Sequence, residues 1–240
     1  GSSWGVESYI DSNNTWDPSY FETREGLLRI AYRRESDGYI VERLWSGTAW
    51  SEAVTVKNAD STDPTYTYDA GGALRILYVR NVDKYLAEKV YNGSAWGAES
   101  VVNPGESGDP SCLLEDDGTL RVAYRRWSDG FLVERLHNGT SWGPESVVSN
   151  SSSYAPSYVQ TIDGEVRIAY LRGSTRAIVE RRLDSDSTWS SATVIYEGTS
   201  TEPDYIQLLN GELRIAYRDS EKVVERTLQR YARLGAGIIE

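Results

Sequence analysis

One cysteine, Cys112, one histidine, His137, and two phenylalanines stand in a chain of 240 residues. A lone cysteine excludes an intramolecular disulfide framework, and with a lone histidine it cannot assemble a Cys/His zinc cluster. A Ser-His-Asp or Cys-His relay would rest on His137 alone, which the spacing puts close to a hairpin turn. No catalytic residue, metal ligand or cofactor is therefore assigned. Long apolar runs are missing too: none approaches the roughly 18 residues of a spanning helix, and no charged-then-apolar leader opens the sequence. Membrane insertion is not expected. Positive charge is scarce, with 25 Lys and Arg against 36 Asp and Glu and a net charge of -11. Such a field repels phosphate backbones, so nucleic acid is not an expected partner.

What is present is a soluble globular composition, 39% hydrophobic and 25% charged, in a chain long enough to bury a sizeable core. Its large side chains are mostly Tyr, 17, and Trp, 8, whose polar tips need partners when buried. The chain also repeats itself. Trp4, Trp50, Trp96, Trp142 and Trp189 are spaced by 46, 46, 46 and 47 residues, and Pro18, Pro64, Pro110, Pro156 and Pro203 keep the same period. So do Arg29, Arg75, Arg121, Arg167 and Arg214, followed by Glu42, Glu88, Glu134, Glu180 and Glu225. A period of this length marks a solenoid, a propeller or an array.

Each unit divides into four short runs, in the first case Pro18 to Thr23, Leu27 to Arg34, Tyr39 to Leu44 and Trp50 to Val56. They are too short for helices and alternate β-branched or aromatic residues with polar ones. Asp117-Gly118, Asp163-Gly164, Asn210-Gly211, Asn92-Gly93 and Asn138-Gly139 separate them, dipeptides that accept the positive φ of tight hairpins. Four antiparallel strands per unit make a propeller blade. Gly1-Ser2-Ser3-Trp4 matches Gly139-Thr140-Ser141-Trp142, so the sequence opens on a fourth strand and ends just past a third, Val223 to Gln229. The expected fold is all-β: a five-bladed β-propeller over residues 1–230, its N-terminal strand closing the last blade and removing two exposed sheet edges. An open solenoid is the alternative. Residues 231–240 are expected to be a tail or a linker to a further domain.

Within a blade the spacing sets Glu42 opposite Ala31 and beside Arg29, a partly buried pair repeated in every unit and expected to staple neighbouring blades. Asp17, Asp63, Asp109 and Glu202 precede their prolines at the innermost strands, with Ala155 breaking the series. They crowd one mouth of the channel or, more simply, cap the turn that starts each strand. Residues that depart from the repeat are better functional candidates, because packing already accounts for those that obey it. Trp16, Trp127 and Tyr154 depart from it in loops at one end of the blades, near Asp17, Asp37, Asp109, Arg126 and Asp129. Together they suggest a stacking platform with convergent polar groups, suited to a sugar ring. Trp45, Tyr91 and His137 share a column toward the opposite end.

Glycoside hydrolysis needs two carboxylates roughly 5 to 10 Å apart with different acidities, whereas five copies of one environment predict five similar ones. The expectation is thus a non-catalytic, lectin-like ring gaining avidity on a multivalent glycan or cell-surface polysaccharide. A glycoside hydrolase or sialidase-like enzyme is the first alternative, and a structural or protein-docking propeller the second.

The unit carrying Trp, DPSY, LRIAYRR, SDGYIVER and NGTSW resembles the sialidase-like repeat propellers of bacterial and phage proteins, and in plan the five-bladed tachylectin family of sugar-binding lectins. Ser36-Asp37-Gly38 and Ser128-Asp129-Gly130 lack the spacing and the Trp of the sialidase Asp-box, so that family's arginine triad and nucleophilic tyrosine have no counterparts here. The tail from Arg230 to Glu240 resembles the joins between modules of phage tail-fibre proteins. That resemblance implies an excised segment of a longer protein, a receptor-binding or accessory role, other fibre domains as neighbours, and a place outside the cell or on a virion.

Overall fold

A computed structural model describes residues 9–208, 210–220 and 222–228. These form eighteen strands, and no helix is long and apolar enough to cross a membrane. The first blade is β1 (Thr15–Glu22), β2 (Leu28–Arg34), β3 (Ile40–Leu44) and β4 (Val54–Lys57), in that order from the axis outward. The second is β5 (Ser61–Tyr68), β6 (Leu74–Arg80), β7 (Tyr85–Val90) and the first half of β8 (Ser100–Leu114). The same unbroken β8 then serves as the innermost strand of the third blade, with β9 (Leu120–Arg126), β10 (Leu132–His137) and β11 (Ser146–Ser149), so that seven strands form one sheet. The fourth comprises β12 (Ser153–Gln160), β13 (Val166–Arg172), β14 (Ala177–Arg182) and β15 (Thr193–Tyr196). The fifth has β16 (Ser200–Gln207), β17 (Leu213–Asp219) and β18 (Lys222–Thr227).

Successive innermost strands pack on one another, β1 on β5, β5 on β8, β8 on β12 and β12 on β16, which is the propeller the period predicts. The predicted closing strand around Trp4 and the tail at 231–240 lie outside the described residues. Tyr20 of the first blade is 54% exposed, whereas Tyr66, its equivalent one blade on, is 6% exposed.

The core lies between blades because each sheet has two apolar faces. Ala123 and Leu132 of the third blade meet Tyr158, Ile168 and Tyr170 of the fourth, and Ala31 and Ile40 of the first meet Tyr66, Ile76 and Tyr78 of the second. The buried tyrosines find partners for their hydroxyls, as the composition demands. Tyr32, Tyr78 and Tyr124 donate to Asp11, Glu99 and Glu145 at 2.7, 2.6 and 2.7 Å, while Tyr170 and Tyr217 accept from Arg181 and Arg226.

The expected hairpin register is found, with Ala31 opposite Glu42 and Ala123 opposite Glu134. Arg29 to Glu42, Arg75 to Glu88, Arg121 to Glu134 and Arg167 to Glu180 close at 3.0, 2.9, 3.1 and 2.8 Å. Each of the first three Glu side chains also accepts the indole N–H of the next blade's Trp: Trp96 on Glu42 at 2.7 Å, Trp142 on Glu88 at 3.1 Å and Trp189 on Glu134 at 2.8 Å. Tyr66 and Tyr158 add their hydroxyls to Glu42 and Glu134. The repeated Trp, Arg and Glu are therefore one joint, in which a carboxylate inside one blade is satisfied by the following one.

The innermost strands depart from expectation at their beginnings. They start before the Asp-Pro pair, so that the pair falls inside the strand at a bulge between Trp16 and Ser19, and likewise in every later blade. A bulge leaves one residue unpaired, which is where a sheet tolerates proline.

Candidate active site

At each bulge the residue before proline has a left-handed backbone: Asp17 at φ 54°, Asp63 at 52°, Asp109 at 51°, Ala155 at 45° and Glu202 at 52°. Such a conformation is uncommon without glycine and costs on the order of 1–3 kcal/mol. Ala155 adopts it without a carboxylate, so the strain belongs to the bulge and the acids exploit it. The bulge carries these side chains out of the ladder and along the inner strands, where those of Asp17, Asp63 and Asp109 reach the next blade. Asp17 Oδ2 accepts the main-chain N–H of Asp63 at 3.4 Å, Asp63 accepts that of Asp109, and Asp109 Oδ2 accepts that of Ala155 at 3.2 Å.

These acids are not equivalent. Asp63 is partly buried, lies between Asp17 and Asp109, and takes the hydroxyl of Thr62 on Oδ2 at 2.8 Å. Burial, then the negative charges of Asp17 and Asp109, push its pKa up from 3.8 to about 6, the direction expected when like charges share a dry site. Ala155 opens a gap after Asp109, and beyond it stands Glu202, longer by a methylene and exposed. Among the described residues no group of three or more His, Cys, Asp or Glu side chains is placed to hold a metal ion.

Because folding raises the Asp63 pKa, its proton contributes stability that is complete below pH 3.8 and is lost as pH rises through about 6. An Asp63→Asn variant has no such loss. Its melting temperature relative to wild type is expected to rise between pH 4 and pH 8, by the equivalent of about 1–3 kcal/mol after allowance for solvent. Calorimetry at the two pH values checks this, and an unchanged difference refutes it.

The structure sorts the sequence candidates into three groups and sets Trp16 apart from them. Asp17 and Asp109 belong to the acid series. Trp127 and Tyr154 meet over Arg125, whose guanidinium carbon sits 3.9 Å from one ring centroid and 4.0 Å from the other. Trp127 reaches that position by lying across Gly108, where a Cβ would stand 2.8 Å from the indole nitrogen. It is thus set against the residue preceding Asp109, and Tyr154 precedes the gap at Ala155. The third group is occupied by its own hairpins: Asp37 pairs with Arg34 at 2.5 Å and accepts the N–H of Tyr39, and Asp129 pairs with Arg126 at 2.6 Å and accepts that of Phe131. Arg126 also pairs with Glu145. Trp16, 55% exposed, lines a separate hollow with Tyr9, Asn13 and Glu35. At the other end Trp45, Tyr91 and His137 rest on Trp50, Trp96 and Trp142 with centroids 5.4, 5.3 and 5.1 Å apart.

Sequence reasoning did not select Arg125, because Arg33 and Arg218 share its column and it passed for part of the repeat. The signal lay in a second column, where Asp60, the partner of Arg33, is replaced by Ser152.

No protein-family model and no curated protein matches the chain. Solved structures do. A protein of unknown function from Dyadobacter fermentans aligns with a TM-score of 0.71 at 13% identity, over 89% of this chain and 78% of that one. An exo-β-1,3-galactanase from Phanerochaete chrysosporium, solved with galactose, gives 0.65 at 12%, over 84% and 56%. An α-L-arabinanase from Penicillium chrysogenum, complexed with arabinobiose, gives 0.65 at 14%, over 88% and 77%. At these identities the likeness establishes the propeller fold alone. The expectation of a non-catalytic, lectin-like ring is corrected by these comparisons, which favour the glycoside hydrolase alternative. Its physical premise fails as well, since a missing acid at Ala155, unequal burial and unequal neighbours make the carboxylates dissimilar.

Proposed function

We propose that the acid series is the active centre of a glycoside hydrolase whose substrate is a glycan. The observation that carries this reading is Asp63, a carboxyl held near pH 6 by burial and by acids on either side. Such a group keeps a proton at mildly acidic pH and can donate it to a leaving oxygen. Glu202, exposed on the fifth blade, is the matching base. It takes a proton from water as the water oxygen bonds to the anomeric carbon. The bond from that carbon to the leaving oxygen breaks, and the leaving oxygen receives the proton of Asp63. Because water attacks the anomeric carbon directly, in a single displacement, the product is expected to have inverted configuration. The gap at Ala155 admits the sugar between Asp109 and Glu202.

A panel of galactans, arabinans, xylans and uronic-acid polymers, followed by release of reducing ends and by NMR of the fresh product, tests the proposal. Turnover that is abolished in Asp63→Asn and in Glu202→Gln supports it. Turnover that persists in both folded variants, or none on any polymer, overturns it. The same proposal sets the protein outside the cell or on a virion, where polymeric glycans are met, with residues 1–230 as one propeller domain and 231–240 as a tail or linker. Those assignments rest on the sequence.

A further inference from the structure

Arg125 is 9% exposed and its Nε is buried without a hydrogen-bond partner. Its Nη2 donates at 3.3 Å to the hydroxyl of Tyr154, and among the described residues no carboxylate lies within ion-pair distance of it. A buried guanidinium is normally paired, since taking the charge out of water is costly. The same position two junctions earlier shows what is missing. Arg33, in Arg125's column, directs Nε and Nη2 at Asp60 Oδ1, at 3.3 and 3.0 Å. At the junction of the third and fourth blades Ser152 stands in place of Asp60, and two aromatic rings have closed over the cation instead. Stacking between rings stabilises the guanidinium but leaves Nε without an acceptor.

The position of this cage gives the missing anion a source. Arg125 pairs in register with Gly108, next to Asp109, and Tyr154 is followed by Ala155, where the acid series is broken. Trp127, 46% exposed, offers the open face on which a sugar ring stacks.

We infer that Arg125, Trp127 and Tyr154 form a subsite for a carboxylate-bearing sugar, a uronate, set beside the gap in the acid series. The inference rests on the hydrolase reading for the meaning of that gap and deepens it by naming the substrate class. The sugar carboxylate supplies the ion pair that Asp60 supplies to Arg33, and its ring covers Trp127. A neutral sugar can do only the second.

Binding of oligogalacturonides, glucurono-oligosaccharides and neutral galacto-oligosaccharides of equal length is measured by calorimetry at pH 7, on wild type and on Asp63→Asn to keep ligands intact. One uronide series is expected to bind at least about tenfold more tightly than the neutral one, the scale of a charge-assisted pair, and to weaken as salt is added. Arg125→Met should erase the preference, and Trp127→Ala should weaken both classes. Equal affinity for uronides and neutral sugars in wild type overturns the inference without recourse to any variant, as does a preference that survives in folded Arg125→Met protein. If neutral glycans are cleaved in an Asp63-dependent way with no uronide preference, the subsite fails and the hydrolase reading stands. Uronide binding that depends on Arg125, without turnover, supports the subsite and sinks the hydrolase reading.

Discussion

Glu134→Ala is expected to destabilise the protein by roughly 3–5 kcal/mol, the scale of a broken buried ion pair. Glu134 is 4% exposed and answers Arg121 Nη1 at 3.1 Å, the hydroxyl of Tyr158 at 2.7 Å and the indole N–H of Trp189 at 2.8 Å. Truncation takes from Arg121 one of its two carboxylates, Glu115 remaining on Nε at 2.5 Å, and leaves two donors of the next blade without an acceptor, each carrying its own desolvation cost. The fifth blade holds a control within the same chain. Arg214 and Glu225 repeat the motif at 2.9 Å, but their side chains are 35% and 52% exposed, so Glu225→Ala is expected to cost about 1 kcal/mol or less. Chemical denaturation of both variants gives the comparison. Equal losses would show that burial is not what governs the pair.

The second large effect concerns catalysis. Asp63→Asn removes the proposed donor and is expected to lower kcat by about 10²- to 10⁴-fold, the usual contribution of a positioned acid. The pH profile adds a direction. A donor must be protonated, and Asp63 loses its proton as pH rises through about 6, so wild-type turnover should fall on the alkaline side of that value. Asp17→Asn takes away one of the two charges that hold the proton on, and its alkaline limb should move to lower pH. A limb unmoved by Asp17→Asn would assign the ionisation to another group, since charge nearby is one of the stated causes of the shift.

The architecture was readable because four residue types recur five times at one period. Trp, Pro, Arg and Glu columns set the period, and the turn dipeptides set the Ala31 to Glu42 register that the structure shows. The bulges were less readable: proline suggests the start of a strand, and only the ladder on both sides of Pro18 reveals that the strand begins earlier. Arg126 and Asp129, expected to converge on a sugar, instead form a local pair three residues apart across a turn. The acidity of Asp63 was not legible, because it depends on residues 46 positions away on either side that only the curl of the chain brings beside it. Arg125 was hidden for the opposite reason. It obeys the repeat, and the departure is in the partner it lacks.

The 15-residue strand β8 bears on how such a ring can breathe. Because one uninterrupted segment is the rim of the second blade and the hub of the third, these two sheets must move as a single plate. That plate carries both Asp63 and Asp109, while Glu202 rides on a different sheet across the break at Ala155. Any flexing is therefore pushed into the remaining junctions, and it changes the span between the proton donor and its opposite number while leaving the donor's own neighbourhood toward Asp109 intact.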